Sequence, residues 1–190
     1  MNDGLKSSGM VDITMEQDLE ILEEMVTHAG STLLALTYGG PVLLVFLRHF
    51  GCVFCKEALD DLAQKRTEFE NSGIRLVFVH MSDKDTALSY FEKFNLNGID
   101  HISDPEQRYY ASFGLHRGTF SQLYGLHTWM RGFQVKASRG YQVELAHKLG
   151  DSTQMPGVFV LHEGQIKESF IHQYAAERPN YDRLVSCCIR

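Results

Sequence analysis

The chain has 190 residues, 44% of them hydrophobic and 22% charged, with a formal net charge of −6. This balance suits one folded domain with a substantial core and excludes an intrinsically disordered segment. The acidic surplus argues against non-specific binding to nucleic acid or to an anionic membrane.

The opening "MNDGLKSSGMVDITMEQ" has no apolar run behind a basic start, so it does not read as a secretory signal. Thr14 to Gln17 fit a capping box, and Leu19, Leu22, Met25 and Val26 follow at helical spacing until Gly30. Residues 1–30 are therefore expected to form an N-terminal helical extension. "STLLALTYGGPVLLVFL" is the most apolar stretch. Gly-Gly-Pro interrupts it, and it falls short of the roughly 20 residues that cross a bilayer, so no membrane span is expected. It reads as two strands, "TLLALT" and "PVLLVFL", joined by a turn at "YGG", the second strand deeply buried.

"RHFGCVFCKEAL" comes next and opens a predicted helix of roughly five turns that ends near Gly73. Cys55, Leu59, Leu62 and Phe69 share its inner face. "IRLVFVHM" reads as another buried strand. "SDKDTALSYFEKFNLNG" reads as a capped helix with Leu88, Phe91 and Phe94 inward. "HISDPEQRYYASFGL" suggests a short strand, a turn at Asp104-Pro105 and a short helix.

From Arg117 to Thr153 aromatic and basic residues alternate, with helical periodicity broken at Gly125, Gly132 and Gly140. Residues 117–153 are read as a helical insertion. "MPGVFVLHEGQIKESFI" reads as a β-hairpin turning at Glu163-Gly164. Asn180 is a plausible N-cap for a final helix. The expected whole is a single α/β domain over residues 1–190, with a central mixed sheet flanked by helices. Strand, CxxC, helix, strand, helix, strand, then a late proline and a hairpin is the thioredoxin-like order.

The four cysteines are Cys52, Cys55, Cys187 and Cys188. They are too few and too clustered for a secreted disulfide framework, which places the protein in a reducing cytoplasm. There a CxxC is more often reactive or metal-binding than structural. A thiol in the first turn of a helix faces unsatisfied N–H groups and the positive end of the macrodipole, so its pKa should fall. Arg48, His49 and Lys56 are near in sequence and would add to this. Three-residue spacing brings two sulfurs close enough for a disulfide with little backbone movement. Two rival readings stay open. The cysteines could be inert buried hydrophobes, or half of a metal site. The latter lacks an evident second ligand pair, because Cys187-Cys188 has the wrong spacing. A dinucleotide fingerprint and a Walker loop are both missing, so no bound cofactor is expected.

Three segments carry a more specific signal: "PVLLVFLRHFGCVFCKEALDDLA", "SDPEQRYYASFGL" and "MPGVFVLHEGQIKESFIHQYAAERPNYDRL". In this order they resemble the peroxiredoxin-like AhpC/TSA family, and in particular its CxxC-bearing branch. The resemblance runs from Ser31 to Leu184. It implies a thioredoxin fold with thiol-dependent redox activity, a peroxide or disulfide substrate, and thioredoxin- or glutathione-type reductants. It also allows a homodimer. A neighbouring branch is similar to prostamide/prostaglandin F synthase, which implies a lipid-derived peroxide as one substrate class.

Laid on the peroxiredoxin pattern, the peroxide-attacking cysteine falls on Cys55, the threonine position on Cys52 and the proline position on Arg48. The family's later arginine has no counterpart in "GVFVLHEGQI". Laid on thioredoxin, Cys52 attacks and Cys55 resolves. Met155-Pro156 matches the proline beside the active cysteines, which the resemblance implies is cis. The candidate site is therefore Cys52, Cys55, Pro156, Arg48 and His49, with Cys52 expected at an exposed helix cap. Arg48 and His49 either tune the thiolate or end a strand in solvent. Trp129 with Phe120, Leu123, Tyr124 and Phe133 forms either a small lid or an apolar rim for hydrophobic substrates or a dimer. Arg117, Arg131, Lys136 and Arg139 would then favour anionic ligands. Cys187 and Cys188 read as an inert terminus. The expected function is a thiol-disulfide oxidoreductase with antioxidant activity, cycling a Cys52–Cys55 disulfide. The alternatives are a non-catalytic binding module and a metal-binding protein.

Overall fold

The computed structural model describes residues 15–141 and 150–188, with Met15–Gln17, Leu126, His127, Trp129 and Lys136 described through their backbone alone. The expected capping box at Thr14 and the roles expected of the Trp129 and Lys136 side chains lie outside the described residues.

The sheet follows from the run Val42–Phe46 (β1), in which every side chain is buried. Such a strand needs apolar cover on both faces. Arg75–His80 (β2) pairs with it in parallel, and Asp100–Ser103 (β3) pairs in parallel with β2. Gly157–His162 (β4) runs antiparallel on the other side of β1, and Gln165–Ile171 (β5) completes a hairpin. The order is β3-β2-β1-β4-β5, the mixed sheet the sequence implies. The hairpin turns at Glu163 and Gly164, with φ of 54° and 71°. Two successive positive φ values give the tight turn whose twist suits a hairpin.

Alternation along the strands divides the core in two. Leu43, Val45, Leu76, Phe78, Val158 and Val160 face one cluster, while Leu44, Phe46, Val77, Val79, Phe159 and Leu161 face the other. Helix α1 (Met15–Glu24) and helix α2 (Leu33–Gly39) precede the sheet. The first face is covered by α3 (Val53–Asn71), α4 (Lys84–Lys93) and α8 (Tyr181–Val185). The second is covered by α1, α2 and α5 (Arg108–Ser112). Helices α6 (Phe120–Tyr124) and α7 (Leu126–Arg139) form the insertion.

Several elements differ from expectation. "TLLALT" is helix α2 rather than a strand. Thr32 caps it by accepting from the Ala35 N–H at 3.2 Å, and Leu33 and Thr37 share its buried face. Thr37 also accepts the Gly164 N–H through its hydroxyl (3.0 Å) and the Glu163 N–H through its carbonyl (3.0 Å). The helix thus seats the hairpin turn, a long-range contact that local propensity does not report. Helix α1 ends at Glu24, before Gly30, and Leu19 and Val26 lie exposed. Leu88 is likewise exposed, and Ala87 and Tyr90 join Phe91 on the buried face of α4. Gly132 sits inside α7 without breaking it, with the Phe54 ring alongside: a Cβ there would lie 3.5 Å from it, an ordinary packing distance. No described helix is long and apolar enough to cross a membrane.

Candidate active site

β1 ends at Phe46, and the chain bends through Arg48 and His49 into α3. Tyr110 braces this point: its hydroxyl donates to the Leu47 carbonyl and lies 3.2 Å from the Val79 carbonyl, spanning the ends of β1 and β2. The Asp104 carboxylate in turn accepts the N–H groups of Arg108, Tyr109 and Tyr110 at 2.8–3.2 Å, which holds α5 in place.

Cys52 is the N-cap residue of α3, and Cys55 lies in its first turn. Both are free thiols. Cys52 is 5% exposed and Cys55 4% exposed, so the exposed cap expected for Cys52 is not what the fold provides. The cause is the segment 150–155, which closes over the helix start. Arg48 Nε donates to the Ser152 carbonyl at 2.9 Å, and Nη2 donates to the same oxygen. Gly150 makes the close approach possible: φ is +114°, and a Cβ there would come within 3.2 Å of the His49 Cβ.

Arg48 is itself buried. Its Nη1 donates to Cys52 Sγ at 3.4 Å, and its guanidinium stands 5.9 Å from the centre of the Tyr124 ring. The solvated strand end is therefore not the geometry of Arg48. A hydrogen bond from the Cys55 thiol holds the Cys52 thiol well below its ordinary range, with Arg48 and His49 adding to this against the cost of burial. Cys55 moves the other way: burial and the bond to Cys52 push it well above the usual thiol range. The arrangement thus favours the thiolate at Cys52 and the thiol at Cys55. His49 is also buried, and burial lowers its pKa.

Pro156 lines a small pocket together with Cys52, Cys55 and Arg48. The Met155–Pro156 bond is trans, contrary to the expected cis form. Trans is the isomer favoured for X–Pro bonds by about 0.5–1 kcal/mol, and here it leaves both polar groups of Met155 satisfied. Its N–H reaches the His116 carbonyl at 3.2 Å, and its carbonyl accepts the Gln154 side-chain amide at 3.2 Å. All five expected site residues converge on the start of α3. Sequence reading missed Ser152, which holds Arg48, Tyr110, which braces the end of β1, and His172, which lines the cysteine pocket; they are single polar residues with no motif, and only the fold brings them together.

The insertion is tied to α3 by ion pairs. Arg131 donates to both oxygens of Glu57 at 2.8 and 2.9 Å. Arg139 bridges Asp60 (2.5 Å) and Asp61 (2.9 Å), and Arg178 forks onto Asp61 at 2.6 and 2.7 Å. Arg117 pairs with Asp151 at 3.1 Å. Arg131 and Arg139 thus serve carboxylates of α3, while Arg117 stays largely exposed beside Asp151. Phe120, Tyr124, Met130 and Phe133 remain exposed on the same insertion. Among the described residues, no group of three or more His, Cys, Asp or Glu side chains is arranged to hold a metal ion.

The family described as AhpC/TSA antioxidant enzyme matches residues 61–175, beginning just after the cysteine pair. The chain is 25% identical over 154 residues to the chloroplastic thioredoxin-like protein AAED1 of Arabidopsis thaliana, covering 77% of this chain and 61% of that one. It is 29% identical over 140 residues to human peroxiredoxin-like 2C, covering 69% and 60%. The chain therefore spans about three fifths of the length of these curated relatives. A solved structure of the Xanthomonas campestris bacterioferritin comigratory protein superposes with a TM-score of 0.57 at 15% identity, covering 80% of this chain and 83% of that one. At that identity the likeness is one of fold.

Proposed function

The chain belongs to the AhpC/TSA antioxidant enzyme family, and from that premise we propose that it is a thiol-dependent oxidoreductase cycling a Cys52–Cys55 disulfide. Cys52 is the attacking thiolate and Cys55 the resolving thiol. One observation carries the reading: Arg48 Nη1 donates to Cys52 Sγ at 3.4 Å, on a sulfur that also accepts from Cys55 at the start of a 19-residue helix. A charge-assisted donor, a thiol donor and the helix dipole all favour the anion.

Toward a peroxide, Cys52 sulfur attacks the terminal oxygen, the O–O bond breaks, and the leaving alkoxide takes a proton. Cys52 becomes a sulfenic acid. Cys55 sulfur then displaces hydroxide, which leaves as water with the Cys55 proton, and the disulfide forms. Toward a disulfide, Cys52 forms a mixed disulfide and Cys55 releases the second thiol. In either cycle a thioredoxin- or glutathione-type thiol returns two electrons. Cys55 fits the peroxiredoxin position by sequence, but burial holds it as a thiol, which supports Cys52 as nucleophile toward both substrates. The same reading places the protein in the cytoplasm and allows a homodimer and a lipid-derived peroxide.

Trapping with a bulky maleimide across a series of redox buffers tests the cycle. The expected result is a reversible two-electron couple that disappears in both Cys52→Ser and Cys55→Ser. Cys55→Ser should accumulate a mixed disulfide, or a sulfenic acid after peroxide, on Cys52. Accumulation on Cys55 in Cys52→Ser, with none in Cys55→Ser, reverses the assignment. Absence of any disulfide between these residues at every poise rejects the proposal.

A further inference from the structure

Helix α8 ends at Val185, and a turn carries the chain on through Cys187 and Cys188. Adjacent side chains on a regular helix or strand point in different directions, so neighbouring thiols do not ordinarily meet. Here the two sulfurs lie 3.3 Å apart. Three contacts hold that geometry. Cys187 Sγ donates to the Leu184 carbonyl at 3.3 Å, the Cys188 N–H donates to the Val185 carbonyl at 2.9 Å, and the Cys188 side chain packs against the first core cluster. Cys187 is exposed and Cys188 half-buried, so the pair is open to solvent.

Two sulfurs at a fixed spacing form a chelate, and the spacing selects what they hold. Zinc–sulfur bonds of about 2.3 Å at the tetrahedral angle set two sulfurs about 3.8 Å apart. Bonds of that same length meeting at about 90°, as at a pyramidal trivalent centre such as arsenic(III), set them about 3.3 Å apart. The donor count points the same way. Structural zinc takes a full tetrahedron of protein ligands, and among the described residues no group of three or more His, Cys, Asp or Glu side chains is arranged to hold a metal ion. A monosubstituted arsenical brings its own third substituent and needs only two sulfurs. Protonation agrees. Burial and the neighbouring Cys188, with Glu168 adding, push the Cys187 thiol up to about 11. A metal ion has to displace that proton into solution, whereas an arsenic–oxygen group carries it away as water.

We infer that Cys187 and Cys188 form a two-sulfur binding site for a trivalent thiophilic centre of the monosubstituted arsenical class. With an aryl arsenic oxide, each sulfur forms one bond to arsenic. The arsenic–oxygen bond breaks, and the oxygen leaves as water with both thiol protons. Arsenic stays trivalent and no electrons are transferred. The site is independent of the disulfide cycle proposed above.

Phenylarsine oxide is the probe, in a chain carrying Cys52→Ser and Cys55→Ser so that the buried pair cannot take it. At pH 7 an equimolar amount should bind, survive excess glutathione and be released by dimercaptopropanol, as intact mass would register. Adding Cys187→Ser, at the exposed position, should weaken binding at least about a hundredfold, the loss expected when the second bond is no longer intramolecular. Equimolar zinc should leave the adduct in place. A glutathione-resistant adduct that persists in Cys187→Ser overturns the site, and so does displacement by zinc. If the chain lacking Cys52 and Cys55 does not fold, tryptic mapping of the parent decides. The adduct should then appear on the peptide Leu184–Arg190, and its absence from that peptide overturns the inference.

Discussion

The molecule carries two cysteine pairs, and they differ in almost everything except composition. Cys187 and Cys188 sit just past the C-terminal end of α8, with sulfurs 3.3 Å apart. Cys187 is exposed and donates to the Leu184 carbonyl at 3.3 Å. Burial of its sulfur and its neighbour Cys188, with Glu168 adding, push its pKa up to about 11. Cys52 and Cys55 sit at the opposite kind of helix end, beside a buried guanidinium. One pair therefore favours a thiolate at Cys52, whereas in the other Cys187 is held as a thiol. Sulfur proximity is common to both; what separates them is the sign of the local field.

The largest effect should come from Cys52→Ser, which removes rapid alkylation at pH 6 altogether. Loss of Cys187 and Cys188 should leave that rate intact, as stopped-flow alkylation with mass mapping would register. If alkylation at pH 6 maps instead to Cys187, the contrast between the pairs collapses.

Acid should separate the pairs next. His80 Nε2 and His101 Nδ1 meet at 2.9 Å in the core, with the His80 ring 5.4 Å from that of Phe50, just before Cys52. Burial lowers His80 to about 3 and His101 to about 4. In the unfolded chain both take protons below about pH 6.5. Their contribution is thus complete above that pH and is lost as pH falls toward 3. For His80 alone the loss is on the order of 3 kcal/mol by pH 4. Urea midpoints from pH 7 to 4 should fall accordingly, with His80→Phe flattening the slope. The Cys52 environment should disappear with the fold, while Cys187 stays unreactive. A midpoint independent of pH would count against this.

Arg48→Met removes the cation from Cys52. A charge-assisted hydrogen bond contributes about 1.5–3 kcal/mol, so the thiolate pKa should rise by about one unit and alkylation at pH 6 should slow about tenfold. The rate at Cys187 should not change. If the Cys52 profile is unmoved, the field at this end comes from the helix and Cys55 alone. The smallest effect is expected for Cys187→Ser with Cys188→Ser. Stability should shift by only about 0.5 kcal/mol, the range of surface changes. A larger thermal loss would assign Cys188, which packs on the first core cluster, a structural part.

Periodicity and turn chemistry determined much of this molecule from sequence. The continuous apolar run of β1, the Glu163-Gly164 turn, the Asn180 cap and the inner face of α3 are local patterns, and local sterics and burial enforce them. The CxxC between a strand and a helix likewise pointed to the pair that the proposed cycle uses. Tertiary structure decided the rest. Helix α2 needed the hairpin turn that rests on Thr37. Cys52 is buried because segment 150–155 folds back on Arg48, some hundred residues away in the chain. Arg131 and Arg139 of the insertion are engaged by carboxylates of α3, and His172 lines the cysteine pocket only because β5 lies beside β4. Spacing along a chain can place two sulfurs together, but their ionisation depends on groups that only the closed fold brings within a few ångströms.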